Sequence, residues 1–177
     1  MEVKMKILGI LWKMMIFLTI LSCFSGEVKG AKFRGVTFGD SLSHYPNMQV
    51  FRVKDSTFTI FVRKDEDLIY AESVVDSIHY NAVNGILTTV LIYYVDFGSY
   101  LKIGMELTMK YGKPWSVSGG GLFYDIWTGN YLQVMSEFDM DKNSGFLSIG
   151  LKGDDASLIV FKELVRLRVE SRIKKSK

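Results

Sequence analysis

One cysteine, two prolines and two histidines are all that the 177-residue chain holds of those types. With Cys23 alone, no internal disulfide can form, so the fold must rest on its apolar core. No His/Cys/Asp cluster has metal-ligand spacing, with only His44 and His79 to draw on. Long apolar runs are missing too. The greasiest uncharged stretch, Met14 to Phe24, is shorter than the about 20 residues a membrane-crossing helix needs. No internal repeat and no low-complexity segment occurs, and nothing before the C-terminal end reads as disordered.

What the chain does contain begins with an address. Lys4, Lys6 and Lys13 precede the Met14–Phe24 run, and small residues follow it. A basic start, a short greasy middle and small residues describe a secretory signal. Residues 1–30 are read as that signal, cut near Val28-Lys29-Gly30 ahead of Ala31. Ile20-Leu21-Ser22-Cys23 resembles a bacterial lipobox, in which the cysteine is lipidated and becomes the first residue. Two outcomes stay open: Cys23 is discarded with the signal, or it anchors the protein through a lipid chain. The expected location is the periplasm or the outer membrane's surface.

Charge is uneven along the mature part. Ala31 to Phe161 carries 11 Lys/Arg against 15 Asp/Glu, whereas Lys162 to Lys177 carries seven against two. Residues 31–163 are read as one mildly acidic domain and 164–177 as a basic tail, with a frayed helix over Val165–Lys177 as the alternative. Such a tail can touch anionic lipid. Nucleic acid is not the expected partner, because export would separate the two and the acidic body lacks a basic groove with stacking aromatics.

The pattern predicts an α+β domain. Met48–Val53 and Thr57–Val62 read as strands around a Lys54-Asp55-Ser56 turn, followed by the charged loop Arg63–Asp67. Val74–Val83 and Ile86–Val95 flank Asn84-Gly85, a strong hairpin signal because both turn residues need positive φ. Leu87, Leu91, Tyr93 and Val95 are expected on one face of the second strand, Ile86, Val90, Ile92 and Tyr94 on the other. Both faces are apolar, so both are expected to be covered. One helix, Phe97–Tyr111, is capped by Asp96 and stopped by Gly112 and Pro114. Phe97, Leu101, Met105 and Met109 form its stripe, widened by Tyr100, Ile103, Leu107 and Tyr111, with the methionines as core filler. Strands Leu122–Thr128, Tyr131–Phe138, Phe146–Lys152 and Ser157–Lys162 complete a meander. A helix from Asp155 is the competing reading of the last strand, set lower because Leu158 to Phe161 are mostly branched or aromatic. The sum is an antiparallel sheet of hairpins and a meander with one main helix laid on it.

Gly39-Asp40-Ser41-Leu42-Ser43 resembles the opening block of the GDSL, or SGNH, esterases. That resemblance implies Ser41 as nucleophile, with an Asp-x-x-His pair as orienting carboxylate and base. Asp76-Ser77-Ile78-His79 is the single such pair. It follows Ser41 after only 35 residues, whereas the family places it near the end of a doubly wound domain. In a strand, side chains three apart point to opposite faces, so Asp76 and His79 diverge. No Gly-x-Asn-Asp block is present. Ser41, Asp76 and His79 therefore stand as an alternative catalytic set. The preferred reading makes Gly35, Gly39, Asp40 and Ser41 turn formers, His44 a polar loop residue and His79 a strand residue on a partly solvated face.

Asp139, Asp141 and Asn143 fall at alternate positions, as at the start of a calcium loop. Glycine comes one place late and Gly150 stands where glutamate belongs, so a hairpin turn is preferred and calcium kept as the alternative. Ser118-Gly119-Gly120-Gly121 lacks the Lys-Ser/Thr of a phosphate cradle and reads as a flexible link. Trp115 and Trp127 are assigned to the core, and no cofactor is expected.

Phe33-Arg34-Gly35, Phe38-Gly39, Tyr111-Gly112-Lys113-Pro114 and Trp127 together resemble a group of exported bacterial proteins of unknown function. The resemblance implies an exported α+β domain without a known activity. The leading expectation is an exported, non-catalytic module. It would bind an envelope component, a protein or a small ligand through its sheet or an edge strand. A small GDSL-like ester hydrolase and a lipid-anchored envelope protein are the alternatives.

Overall fold

A computed structural model describes residues 30–153 and 155–175. The strands are β1 (Lys32–Phe33), β2 (Val36–Thr37), β3 (Met48–Val53), β4 (Phe58–Arg63), β5 (Ile69–Tyr70), β6 (Ser73–Val74), β7 (Ser77–Val83), β8 (Ile86–Val95), β9 (Trp115–Gly119), β10 (Leu122–Thr128), β11 (Leu132–Asp139) and β12 (Ser144–Leu151). The α-helices are α1 (Phe97–Tyr111) and α2 (Asp155–Lys175), and Leu42–His44 make a 3-10 turn.

Eight strands form one antiparallel sheet in the order β3-β4-β7-β8-β12-β11-β10-β9. Helix α1 carries the chain from β8, mid-sheet, to the far edge at β9. The β9-to-β12 meander then walks back until β12 pairs with β8. The β7–β8 turn has Asn84 at φ 51° and Gly85 at φ 78°, as its sequence requires. Asp96 caps α1 by accepting a hydrogen bond from the Ser99 amide at 2.7 Å.

Each face of the sheet has its own apolar cluster. Val90, Ile92 and Tyr94 of β8, Ile78 and Tyr80 of β7, and Val134 and Phe138 of β11 point to one face, where Tyr100, Ile103 and Leu107 of α1 cover them. Phe33, Val36, Phe38 and Leu42 close the rest of that face. Leu122, Tyr124, Ile126 and Met135 point the other way and meet Phe161, Val165 and Val169 of α2.

Several expectations are corrected here. Ser157–Lys162 is not a strand, and residues 164–175 are not a free tail: both belong to α2. Phe161, Val165 and Val169 recur every four residues, which makes one helical stripe once a sheet face is present to bury it. Ser118–Gly121 is not a flexible link. Ser118 and Gly119 end β9, and Gly120 and Gly121, at φ 56° and 77°, make the tight turn into β10. Within α1, Leu101, Met105 and Met109 are not core filler; they face solvent. Leu87 joins the α1 face with Val90, because a bulge between Asn81 and Ala82 of β7 shifts the β8 register by one residue there. Leu91 and Tyr93, expected to be covered, are only half-buried.

Candidate binding face

The GDSL-like block lies along the start of β8. Gly39 donates to the Leu87 carbonyl, Leu87 to the Asp40 carbonyl and Leu42 to the Gly85 carbonyl, each at 2.9 Å. Ser41 bridges Ile86 in this short extension of the sheet. Its hydroxyl shares a hydrogen bond with that of Ser43 at 2.8 Å. The Asp40 carboxylate accepts from the Tyr45 hydroxyl at 2.9 Å. His79 pairs with Leu91, five residues further along β8 than Ile86. At the rise of an extended chain that is roughly 16 Å, far outside hydrogen-bond reach. Asp76 stands just ahead of β7, and its amide donates to the Tyr93 carbonyl at 2.8 Å. The fold does not bring Ser41 and His79 together. His44, as expected, is an exposed residue of the 3-10 turn.

The acidic β11–β12 turn is occupied by the protein's own cations. Asp139, only 3 % exposed, accepts from Arg172 at 3.2 Å and pairs with Lys142 at 3.3 Å. Arg172 also binds Asp141. Burial pushes the Asp139 carboxyl up, but Lys142 and Arg172 pull it further down, leaving it below the usual carboxylate range. Two residues earlier on the same strand face, Glu137 takes a bidentate pair from Arg168 at 3.0 and 3.1 Å. Asn143, at φ 49°, belongs to the turn itself. These oxygens therefore serve as the docking partners of α2. Among the described residues no group of three His, Cys, Asp or Glu side chains is placed to hold a metal ion.

A third polar cluster lies beneath α1. Tyr100 and Ser116 both donate to the Asp125 carboxylate. Burial, with that hydrogen bond added, raises the Tyr100 phenol above its ordinary range, so it stays a proton donor. The cluster ties α1 to β9 and β10. Trp127 adds to it by donating from Nε1 to the Thr108 hydroxyl at 3.3 Å.

An extended surface feature lies on the face opposite α1, beside the part that α2 covers. Cross-strand register places His79 of β7, Tyr93 of β8 and Phe146 of β12 in a row, and Phe51 reaches over from edge strand β3. Ring centroids are 5.0 Å apart for Phe51–His79, 5.2 Å for His79–Tyr93 and 6.4 Å for Tyr93–Phe146. Phe51 is 59 % exposed and the other three are half-buried. Burial holds the His79 imidazole below its ordinary pKa, which favours the neutral ring. One pleat along β7 on the same face sits Asn81. It is buried, and its side-chain oxygen has no hydrogen-bond partner. A row of aromatic rings can stack a flat ligand.

Sequence reasoning placed His79 on a partly solvated strand face but missed Phe51, Tyr93 and Phe146 as its companions. The period-two pattern shows which residues share a face within one strand. The row crosses strands, and it exists only once β12 is known to lie beside β8. Its N-terminal neighbours in the chain, including Cys23 and the proposed signal, lie outside the described residues. Among the described residues no helix is long and apolar enough to cross a membrane. Comparison with protein-family models, with curated proteins and with solved structures finds no match.

Proposed function

We propose that this chain is an exported, non-catalytic binding module that holds an envelope component, a protein segment or a small ligand on the sheet face opposite α1, beside the part that α2 covers. The row Phe51–His79–Tyr93–Phe146 carries this reading. Solvent-facing aromatic rings in contact are costly to leave uncovered. The basic start and short apolar run of residues 1–30 support export to the periplasm or the outer membrane's surface. The separation of Ser41 from His79 supports binding over ester hydrolysis, since a serine hydroxyl is a poor nucleophile without a base in contact. The proposed partner is neither a nucleic acid nor a cofactor.

Capture from envelope extract tests this reading. Wild-type protein is compared with Phe51→Ser and Tyr93→Ser variants that keep the wild-type circular dichroism. A bound species retained by wild type and released by both variants is the expected result. Retention that ignores both substitutions removes the row from the function. Hydrolysis of an acyl-ester panel that disappears with Ser41→Ala would replace the binding reading with the hydrolase one.

A further inference from the structure

The outer face of α1 is apolar where a surface helix ordinarily carries charge. At about 100° per residue, its buried arc runs through Ser99, Tyr100, Ile103 and Leu107. Diametrically opposite stands Met105, with Leu101 and Met109 one turn away on either side. They are 48 %, 61 % and 83 % exposed in the order Leu101, Met105, Met109. Rows at spacing four are the ridges that interdigitate when two helices pack. One flank of this ridge is small and uncharged, with Thr108 and Gly104. The other carries one charge of each sign, Lys102 and Glu106, both exposed. Strand β6 runs against α1, and the Lys102 ammonium donates to the Glu72 carbonyl in the β5–β6 turn at 3.3 Å. That hairpin brings its own exposed pair, Ile69 and Val74, beside the helix.

We propose that this ridge is a two-fold interface between copies of this chain, with α1 packed antiparallel to α1 of a second copy and Met105 on the axis. A two-fold interface must be complementary to itself. Here it is. Lys102 lies three residues before the axis and Glu106 one residue after it, on the same flank. The two-fold reverses the helix direction and keeps the flank, so each Lys102 comes to the Glu106 of the other copy. The remaining axial offset is about 3 Å at the helical rise, and the pairing occurs twice. Leu101 of each copy meets Met109 of the other, and the flexible methionines fill the seam. The small flank lets the backbones approach. This surface faces away from the aromatic row, on the opposite side of the sheet, so the proposal stands or falls separately from the binding function.

The first test is thiol cross-linking of the full chain as exported, with Met105→Cys compared against Ser56→Cys in the exposed β3–β4 turn. Mild oxidation is expected to give a 105–105 linked dimer, identified by peptide mass, and no 56–56 dimer. The second test is sedimentation equilibrium of the full chain in mild detergent. Lys102→Glu and Glu106→Lys should each weaken dimerisation by about tenfold, and the two together should restore it. That restoration separates a lost pair from a damaged fold. A chain that sediments as a monomer at every concentration, with no 105–105 linkage, overturns the proposal. So does a double variant as weak as the single ones. Vesicle flotation of a monomer that depends on Met105 would likewise overturn it, assigning the ridge to a lipid surface. Phe51→Ser leaves dimerisation unchanged if the two surfaces are independent.

Discussion

Gly145 shows how much a single hydrogen in place of a side chain can decide. A Cβ there would come within 2.3 Å of the Glu137 carbonyl oxygen and 2.7 Å of the Tyr94 ring. Tyr94 bends over this gap to share a hydrogen bond with the Ser136 hydroxyl at 2.7 Å and to donate to the Glu137 carbonyl at 3.1 Å. Backbone cannot yield here as a flexible side-chain tip could. Gly145→Ala is therefore expected to destabilise the protein by about 2–3 kcal/mol, read from the urea midpoint at unchanged m-value. Asp96 presents the opposite case. Its φ of 66° with ψ of 151° is a conformation suited to glycine, yet its carboxylate caps α1. Asp96→Ala loses the cap and keeps the strain, and should cost about 1–2 kcal/mol. Asp96→Gly loses the cap but relieves the backbone, so it is expected to be at least as stable as Asp96→Ala. Thermal melts of the two variants give the order directly. The cap was legible in the sequence; the strained φ was not, because it arises from where β8 must hand the chain to α1.

At the scale of elements, α2 is what the linear reading misjudged, and the reason is physical. Leu158 to Phe161 favour a strand by local preference, and seven basic residues after Phe161 suggest a solvated end. Both signals are overridden by a surface that the sequence does not display. Arg168 and Arg172 are four apart on a helix, a rise of about 6 Å. Glu137 and Asp139 are two apart on a strand, a rise of roughly 7 Å. The two spacings match, so each guanidinium meets its own carboxylate. Gly119 and Gly120 let the last turns of α2 lie directly on the β9–β10 turn, where a Cβ on Gly119 would stand 2.5 Å from Ile173. Glu137, Asp139 and Asp141, part of the acid excess in the body, and Arg168 and Arg172, part of the base excess at the end, are thus two sides of one contact.

Two outcomes are expected from that contact. Arg168→Ala leaves the buried Glu137 carboxylate without its bidentate partner and should cost about 2–3 kcal/mol, discounted because the arginine is part-exposed. Chemical denaturation at neutral pH measures it. Asp139 has a folded-state pKa below its unfolded one. Its contribution is therefore complete above the unfolded value, about 3.9, and is lost as pH falls through the lower, folded value. Hydrogen exchange of α2 amides should accelerate in that acid window before the sheet core is exposed. Equal exchange of helix and sheet at every pH would remove the carboxylate pairs as the hold on α2.

Across the whole molecule, the aromatic row depends on long-range pairing. His79 and Phe146 are 67 residues apart in the chain and come near one another only because each pairs with Tyr93 or its strand. Burial lowers the His79 pKa, so the ring is expected to stay neutral, and stacking on the row to stay constant, from neutral pH down to the ordinary imidazole value of about 6.5. Affinity for a captured ligand that falls as pH drops below that value would mean that a charged imidazolium is excluded from the bound state. His79→Phe should then hold affinity constant across that range. The measurement is a binding isotherm at each pH.

Local chemistry determined, without any fold, the β7–β8 hairpin at Asn84-Gly85, the bounds and cap of α1, the span of β10 and the α+β class. Each depends on contacts or dihedral demands within a few residues. The tertiary structure alone decided which stripe of α1 is buried, that the C-terminal segment is a helix, and that four distant rings form one row. Those outcomes turn on which surface stands opposite, and a residue meets that surface only after the β9-to-β12 meander has returned to β8.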